Sequence, residues 1–205
     1  MKIKEFKSKN IEKKLVRNPI SNKGDYGHVL VIAGNLGFGG AALLSSKGVL
    51  ASGAGLATLA TRKEHLSAAL TYCPEVMTKT VESISDLENH LPNKTVICIG
   101  PGLGGNYWAD QMLYKATNFA AKENLPILID ADGLNILSEN RLKIKLPKKL
   151  ILTPHPGEAA RLLKTKVSTI QKNRSQALAK PVSYTHLRAH ETSLHLVCRL
   201  RLEKK

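Results

Sequence analysis

The sequence predicts an α/β protein in which helices cover both faces of a mostly parallel sheet. Short apolar runs rich in β-branched residues recur along the chain, and most are apolar throughout instead of alternating, as strands buried on both faces are. Amphipathic stretches at helical spacing lie between several of these runs, and strands that alternate with helices build a layered α/β fold. A length of 205 residues suits one domain with a substantial core.

The elements follow in chain order. "HVLVIAG" (28–34) is the first expected strand and ends at a glycine. "NLGFGGAALLSSKGVLASGAG" (35–55) is a glycine-rich turn flowing into a helix of small and apolar residues, which should stop near Gly53 or Gly55. Further strands are expected over 56–61 ("LATLAT"), 75–80 ("EVMTKT"), 95–100 ("TVICIG"), 126–130 ("PILID") and 150–153 ("LILT"), with helices over 63–71 and 106–123. In such a sheet, ligands gather beyond the carboxyl ends of the strands. Four of these ends, "AGNLGFGGAA", "GPGLGG", "DADGLN" and "TPHPGE", carry glycines, carboxylates or a histidine, so they should converge along one rim.

Composition narrows the partners. No apolar run approaches the roughly 20 residues that span a bilayer, and the basic N-terminus "MKIKEFKSKNIEKKL" has no apolar core of a secretory signal. Cys73, Cys98 and Cys198 are widely spaced with no C-x-x-C pair, which suits a reducing compartment. A cytoplasmic protein without a membrane partner is expected. The net charge of +15 is unevenly placed: residues 1–23 carry +6 and 141–180 carry +10, whereas 24–140 carry −4. The glycine-rich body is therefore mildly acidic. With aromatics at 4%, it offers few platforms for stacking bases, and nucleic acid is not expected as a partner.

Each strand-end motif admits more than one reading. In "IGPGLGG" (99–105), Gly100, Gly102, Gly104 and Gly105 can take positive φ and leave backbone N–H groups open to a phosphate or nucleotide edge, or can simply form a tight turn. Asp130 and Asp132 in "IDADGLN" could hold Mg²⁺ through water, accept ligand hydroxyls, or cap the following helix. In "TPHPGE" (153–158) the flanking prolines fix the backbone around His155, and Gly157-Glu158 starts a helix. The imidazole is then held at the rim as a binding contact, with helix capping as the alternative. His186, His190, His195 and Cys198 crowd the C-terminal stretch. Their H-E-x-x-x-H spacing is one residue too long for the helical zinc pair, so no metal site is expected there.

In this order and spacing, "KGDYGHVLVIAG", "GFGGAALLSSKGVLASGAGLATLAT", "PEVM", "IGPGLG", "ILIDADGLN" and "LTPHPGE" resemble the ADP/ATP-dependent NAD(P)H-hydrate dehydratases of the ribokinase-like superfamily over about residues 20 to 180. The resemblance implies a ribokinase-like three-layer αβα sandwich, incomplete at the C-terminus. It divides the chain into a basic arm (1–22), a partial dehydratase domain (23–180) and a non-family tail (181–205). It implies cofactor repair: the ring hydroxyl of hydrated NADH or NADPH (the S epimer) is phosphorylated by ADP or ATP with Mg²⁺, and loss of phosphate restores the dihydropyridine. By motif, Ala41, Gly102, Gly104 and His155 would contact the hydrated dinucleotide. Asp130 and Asn135 would line the same rim, and Glu158 would join a water-mediated Mg²⁺ network. Homo-oligomers are usual in the family.

The sequence departs from the family after "VSTIQKNRSQALAK" (167–180), a helix in the family manner. The Lys-Gly loop that holds nucleotide phosphates and the G-[TS]-G-D segment that carries the catalytic base do not occur in it. "PVSYTHLRAHETSLHLVCRLRLEKK" reads as non-native sequence, and the 205-residue chain is expected to be a fragment that is poorly soluble or inactive. Two rivals remain open: a ribokinase-like kinase of a sugar or vitamin precursor, and a basic noncatalytic binding protein, against which the acidic body speaks.

Overall fold

The computed structural model describes residues 17–172. The expectations for most of the basic arm, for the helix past Lys172 and for the tail with its histidines lie outside the described residues. Six strands form one sheet: β1 (His28–Ile32), β2 (Leu56–Thr61), β3 (Met77–Thr80), β4 (Val96–Ile99), β5 (Ile127–Ile129) and β6 (Leu150–Leu152). Their order is β3-β2-β1-β4-β5-β6, and every pairing is parallel. Seven α-helices accompany them in the described residues: α1 (Gly39–Ala51), α2 (Leu66–Tyr72), α3 (Ile84–Glu88), α4 (Tyr107–Lys122), α5 (Asp132–Glu139), α6 (Pro156–Leu162) and α7 (Val167–Lys172).

The two-sided apolar character of the strands sorts the helices into layers. Alternate residues of β1 point to opposite faces: Val31 joins a cluster with Ala42 of α1 and Ala69 of α2, whereas Leu30 and Ile32 join Leu87 of α3, Met112 of α4 and Leu134 of α5. Parallel strands that follow one another in the chain are joined by right-handed crossovers as a rule, so a chain stepping outward from β1 to β3 lays α1 and α2 on one face. It then returns to the other side of β1 and steps from β4 to β6, laying α3, α4 and α5 on the opposite face. The result is a three-layer αβα sandwich. Fully buried side chains such as Leu30, Ile32, Ile97 and Ile127 each contribute about 1.5–3 kcal/mol through burial.

Local chemistry sets the boundaries. Gly53, at φ 100°, follows the end of α1 as expected. Asn106 caps α4 by accepting the Ala109 N–H at 3.1 Å, and Trp108, Met112, Ala116 and Ala120 then recur on its buried face. The strand expected from residue 75 starts at Met77, because Pro74 and Glu75 form a turn closed by Val76 N–H to the Cys73 carbonyl. Residues 63–65 form a 3₁₀ turn before α2 begins at Leu66. Helix α3 was not anticipated; it is five residues long and is started by a capping box between Ser83 and Asp86.

Gly100, at the exit of β4, adopts φ 128°, and a Cβ there would fall 1.8 Å from the Asp130 carbonyl oxygen. Backbone replaces side chain at this contact, and it lets the ends of β4 and β5 meet. Replacing Gly100 with Ala is expected to cost about 2–4 kcal/mol, read as a lower urea midpoint. An unchanged midpoint would show that the strand ends can separate freely.

Candidate functional site

β1 and β4 are neighbours whose chains leave for opposite faces, so the carboxyl edge between them is the switch point at which sheets of this kind place a ligand crevice. The two loops are stitched to each other. Gly34 N–H donates to the Pro101 carbonyl (3.2 Å) and Asn35 N–H to the Gly102 carbonyl (2.7 Å). The Asn35 side chain is buried at 4% exposure, which is tolerable because its polar atoms are used. Its Nδ2 donates to the Leu103 carbonyl (2.9 Å) and to Asn106 Oδ1 (2.8 Å), and its Oδ1 accepts the Leu36 N–H (2.9 Å). His65 Nε2 lies 2.9 Å from the Asn35 carbonyl, which can only accept, so this nitrogen carries the proton.

Ala41 and Gly102 are brought together on the floor of the crevice. A Cβ at Gly102, whose φ is 58°, would sit 3.0 Å from the Ala41 Cβ and 2.7 Å from the Phe38 carbonyl oxygen. Ala41 occupies the first turn of α1, a 13-residue helix whose N-cap, Phe38, supplies no side-chain hydrogen bond. The positive end of the helix dipole therefore points at this floor without a capping side chain. Leu36 and Phe38 are exposed at its mouth.

The aspartates separate. Asp132 is the first residue of α5 rather than its cap, since the N-cap position is Ala131, held at φ 49° and ψ −121°. Asp132 Oδ2 accepts the Gly104 N–H at 2.9 Å, and its Oδ1 accepts from Asn135 Nδ2 at 3.4 Å. Asn135 Oδ1 in turn accepts from Arg161 Nε at 3.0 Å. The glycine loop thus does not hold all its N–H groups open, as its sequence allowed: Gly104 donates to Asp132, and Gly100 donates to the Ile32 carbonyl. Asp130 follows β5, where its backbone N–H donates to Ile99. Burial, with the Asp130 charge as a smaller cause, pushes the Cys98 thiol up to about 12, and Cys98 packs against the cluster of Val31 and Ala42.

His155 is both at the rim and a cap. It precedes Pro156, the first residue of α6, and its Nδ1 accepts from Gly157 N–H (3.0 Å) and Glu158 N–H (3.4 Å). Glu158 Oε2 accepts the His155 N–H at 2.8 Å, and its Oε1 lies 3.2 Å from Nε2. His155 remains 44% exposed, leaving a ring face open above the rim, while Glu158 is 5% exposed. Among the described residues, no group of three or more His, Cys, Asp or Glu is placed to hold a metal ion. Glu158 is committed to His155, so the described residues do not by themselves fit Mg²⁺. The sequence reading missed Asn35, His65, Asn106 and Arg161, which do most of the bracing. Of these, only Asn106 carried a usable signal, as an N-cap residue ahead of a helical pattern.

The NAD(P)H-hydrate dehydratase family model matches residues 29–185. The chain belongs to this family. The bifunctional NAD(P)H-hydrate repair enzyme Nnr of Coxiella burnetii is 43% identical over 158 residues, which are 77% of this chain and 31% of that protein. A ribokinase-like superfamily protein from Enterococcus faecalis superposes with a TM-score of 0.74 at 29% identity, over 87% of this chain and 66% of that one. An ADP/ATP-dependent NAD(P)H-hydrate dehydratase from Bacillus subtilis, co-crystallized with ATP/Mg²⁺, gives 0.62 at 29% identity, over 78% and 56%. The sandwich is therefore ribokinase-like, and the chain spans about a third of the length of the curated repair enzyme it matches.

For this dehydratase-family chain, the cap and the rim contact at His155 can be separated. His155→Ala is expected to cost about 1 kcal/mol through loss of the cap acceptor, whereas His155→Asn retains an acceptor and should stay within about 0.5 kcal/mol of the parent. Urea unfolding checks this. Equal losses in both variants would mean that ring packing, not capping, holds the start of α6.

Proposed function

We propose that the chain carries the dinucleotide side of a nucleotide-dependent NAD(P)H-hydrate dehydratase, acting on the S epimer of hydrated NADH or NADPH. The observation that carries this reading is the crevice floor, where Ala41 at the uncapped start of α1 lies against Gly102 with no larger side chain between them. A dinucleotide needs close backbone approach and a favourable site for its pyrophosphate, and a helix N-terminus beside a glycine supplies both. Gly104, with its N–H committed to Asp132, contributes by lacking a side chain. The exposed face of His155 and the polar groups of Asp130 and Asn135 complete the rim.

In the proposed reaction the ring hydroxyl oxygen bonds to the terminal phosphorus of ADP or ATP, the P–O bond to the departing AMP or ADP breaks, and the hydroxyl proton is lost. The C–O bond then breaks, phosphate leaves with the bonding pair, and a proton is lost from the adjacent carbon, which restores the ring double bond. Phosphate is a far better leaving group than hydroxide, and this difference is the reason for spending a nucleotide. The residues described here bind and orient the dinucleotide. Mg²⁺ is proposed to enter with the nucleotide, in keeping with the ATP/Mg²⁺ of the Bacillus subtilis crystals, and no step is assigned to it. We extend the reading to a cytoplasmic homo-oligomer; none of the described helices is long and apolar enough to cross a membrane.

Binding and chemistry can be read apart. Calorimetric titration of the 205-residue chain should show saturable binding of hydrated NADPH and none of sugars or vitamin precursors. Adding ADP or ATP with Mg²⁺ should give no return of NADPH absorbance, because the Lys-Gly loop and the G-[TS]-G-D segment expected after residue 180 do not occur in the sequence. Binding of a sugar or vitamin precursor in preference to the dinucleotide would favour the kinase reading. Binding of neither would refute a dinucleotide rim.

A further inference from the structure

We propose that Arg161 is a positioning residue for the glycine loop, acting through Asn135 and Asp132 on the Gly104 amide; its link to catalysis rests on the dehydratase reading. The four groups form one chain of hydrogen bonds across three segments of the rim. Arg161 Nε donates to Asn135 Oδ1 (3.0 Å), Asn135 Nδ2 donates to Asp132 Oδ1 (3.4 Å), and Gly104 N–H donates to Asp132 Oδ2 (2.9 Å). The residues come from α6, α5 and the loop between β4 and α4, so their proximity is a product of the fold.

Each junction has one possible polarity. A guanidinium only donates and a carboxylate only accepts, so neither can be reversed. Arg161 and Asp132 therefore hold the Asn135 amide from both ends, its oxygen toward α6 and its NH₂ toward Asp132. Without that donor the Asn135 oxygen loses its partner, and the amide is held from one side only, by its 3.4 Å bond to Asp132. The carboxylate would then be held toward Gly104 by a less constrained partner. Asn135 is half-buried, and Leu162 beside Arg161 is 4% exposed, so the anchor stands on a packed helix.

The consequence falls on the loop whose shape matters most. Gly102 and Gly104 have φ of 58° and 71°, and the Asp132 bond to Gly104 N–H restrains that conformation from the α5 side while Asn35 restrains it from the β1 side. Arg141 serves as an internal control. Its Nη2 donates to the Gly105 carbonyl at 3.0 Å, so it touches the same loop without belonging to the relay.

The test uses amide resonances and hydrogen exchange of the ¹⁵N-labelled full chain. Replacing Arg161 with Met keeps the aliphatic stem and removes the donors. It should shift the Gly104 amide resonance and speed its exchange by roughly five- to tenfold, the size of one lost hydrogen bond. Arg161→Lys, which keeps a cationic donor, should recover most of the protection, and Arg141→Met should leave Gly104 unchanged. Unaltered Gly104 exchange in Arg161→Met, or an equal change in Arg141→Met, would overturn the relay. Binding of hydrated NADPH to the same variants tests its purpose. A several-fold weaker Kd in Arg161→Met, restored in Arg161→Lys, supports positioning for the dinucleotide, and an unchanged Kd with altered exchange overturns it. A parent chain that fails to bind hydrated NADPH would refute the dehydratase reading instead, and exchange at Gly104 would still decide the relay.

Discussion

The rim depends on the closure between the β1 and β4 loops, where Asn35 N–H meets the Gly102 carbonyl at 2.7 Å. At a topological switch point two adjacent loops are driven apart by helices on opposite faces, and nothing in the sheet itself prevents them from splaying. Here Asn35 ties its own loop to Gly102 through its backbone N–H and to Leu103 and Asn106 through its side chain. A buried amide is costly unless satisfied, and this one is satisfied only when the two loops are in register. The same bond network therefore stabilises the fold and fixes the crevice.

The remaining polar groups extend that logic outward. Asp132 reaches across to Gly104 from the start of α5, and the backbone strain at Ala131 accompanies this placement. His155 and Glu158 close a capping box on α6, which leaves an imidazole face exposed at a fixed height on the rim. These carboxylates hold neighbouring segments in place.

The strands were the most legible part of the chain. "HVLVIAG" and "LATLAT" are apolar without alternation because both of their faces are covered, and that pattern survives in one dimension. Helix α3 was hidden because five residues hold too little periodicity, although Ser83 and Asp86 spelled its cap. The four strand-end motifs located the rim, and Ala41 and Gly102 do meet there. The bracing was not readable. An asparagine in a glycine-rich loop reads as a turn residue, and an exposed arginine reads as solvated charge. Partners such as Asn35 and Asn106 stand 71 residues apart, and Asn135 and Arg161 stand 26 apart, so only the assembled sheet shows what they do.

The central claim is that this crevice receives the dinucleotide, and mapping hydrated NADPH onto the backbone amides of the labelled chain by NMR tests it most directly. The account predicts that the shifted resonances fall in four segments, 34–41, 100–106, 130–135 and 153–158, all at the carboxyl edge of the sheet. Shifts concentrated at the opposite edge, around His28 and Thr95, would contradict it, as would saturable binding that leaves Ala41 and Gly102 unmoved.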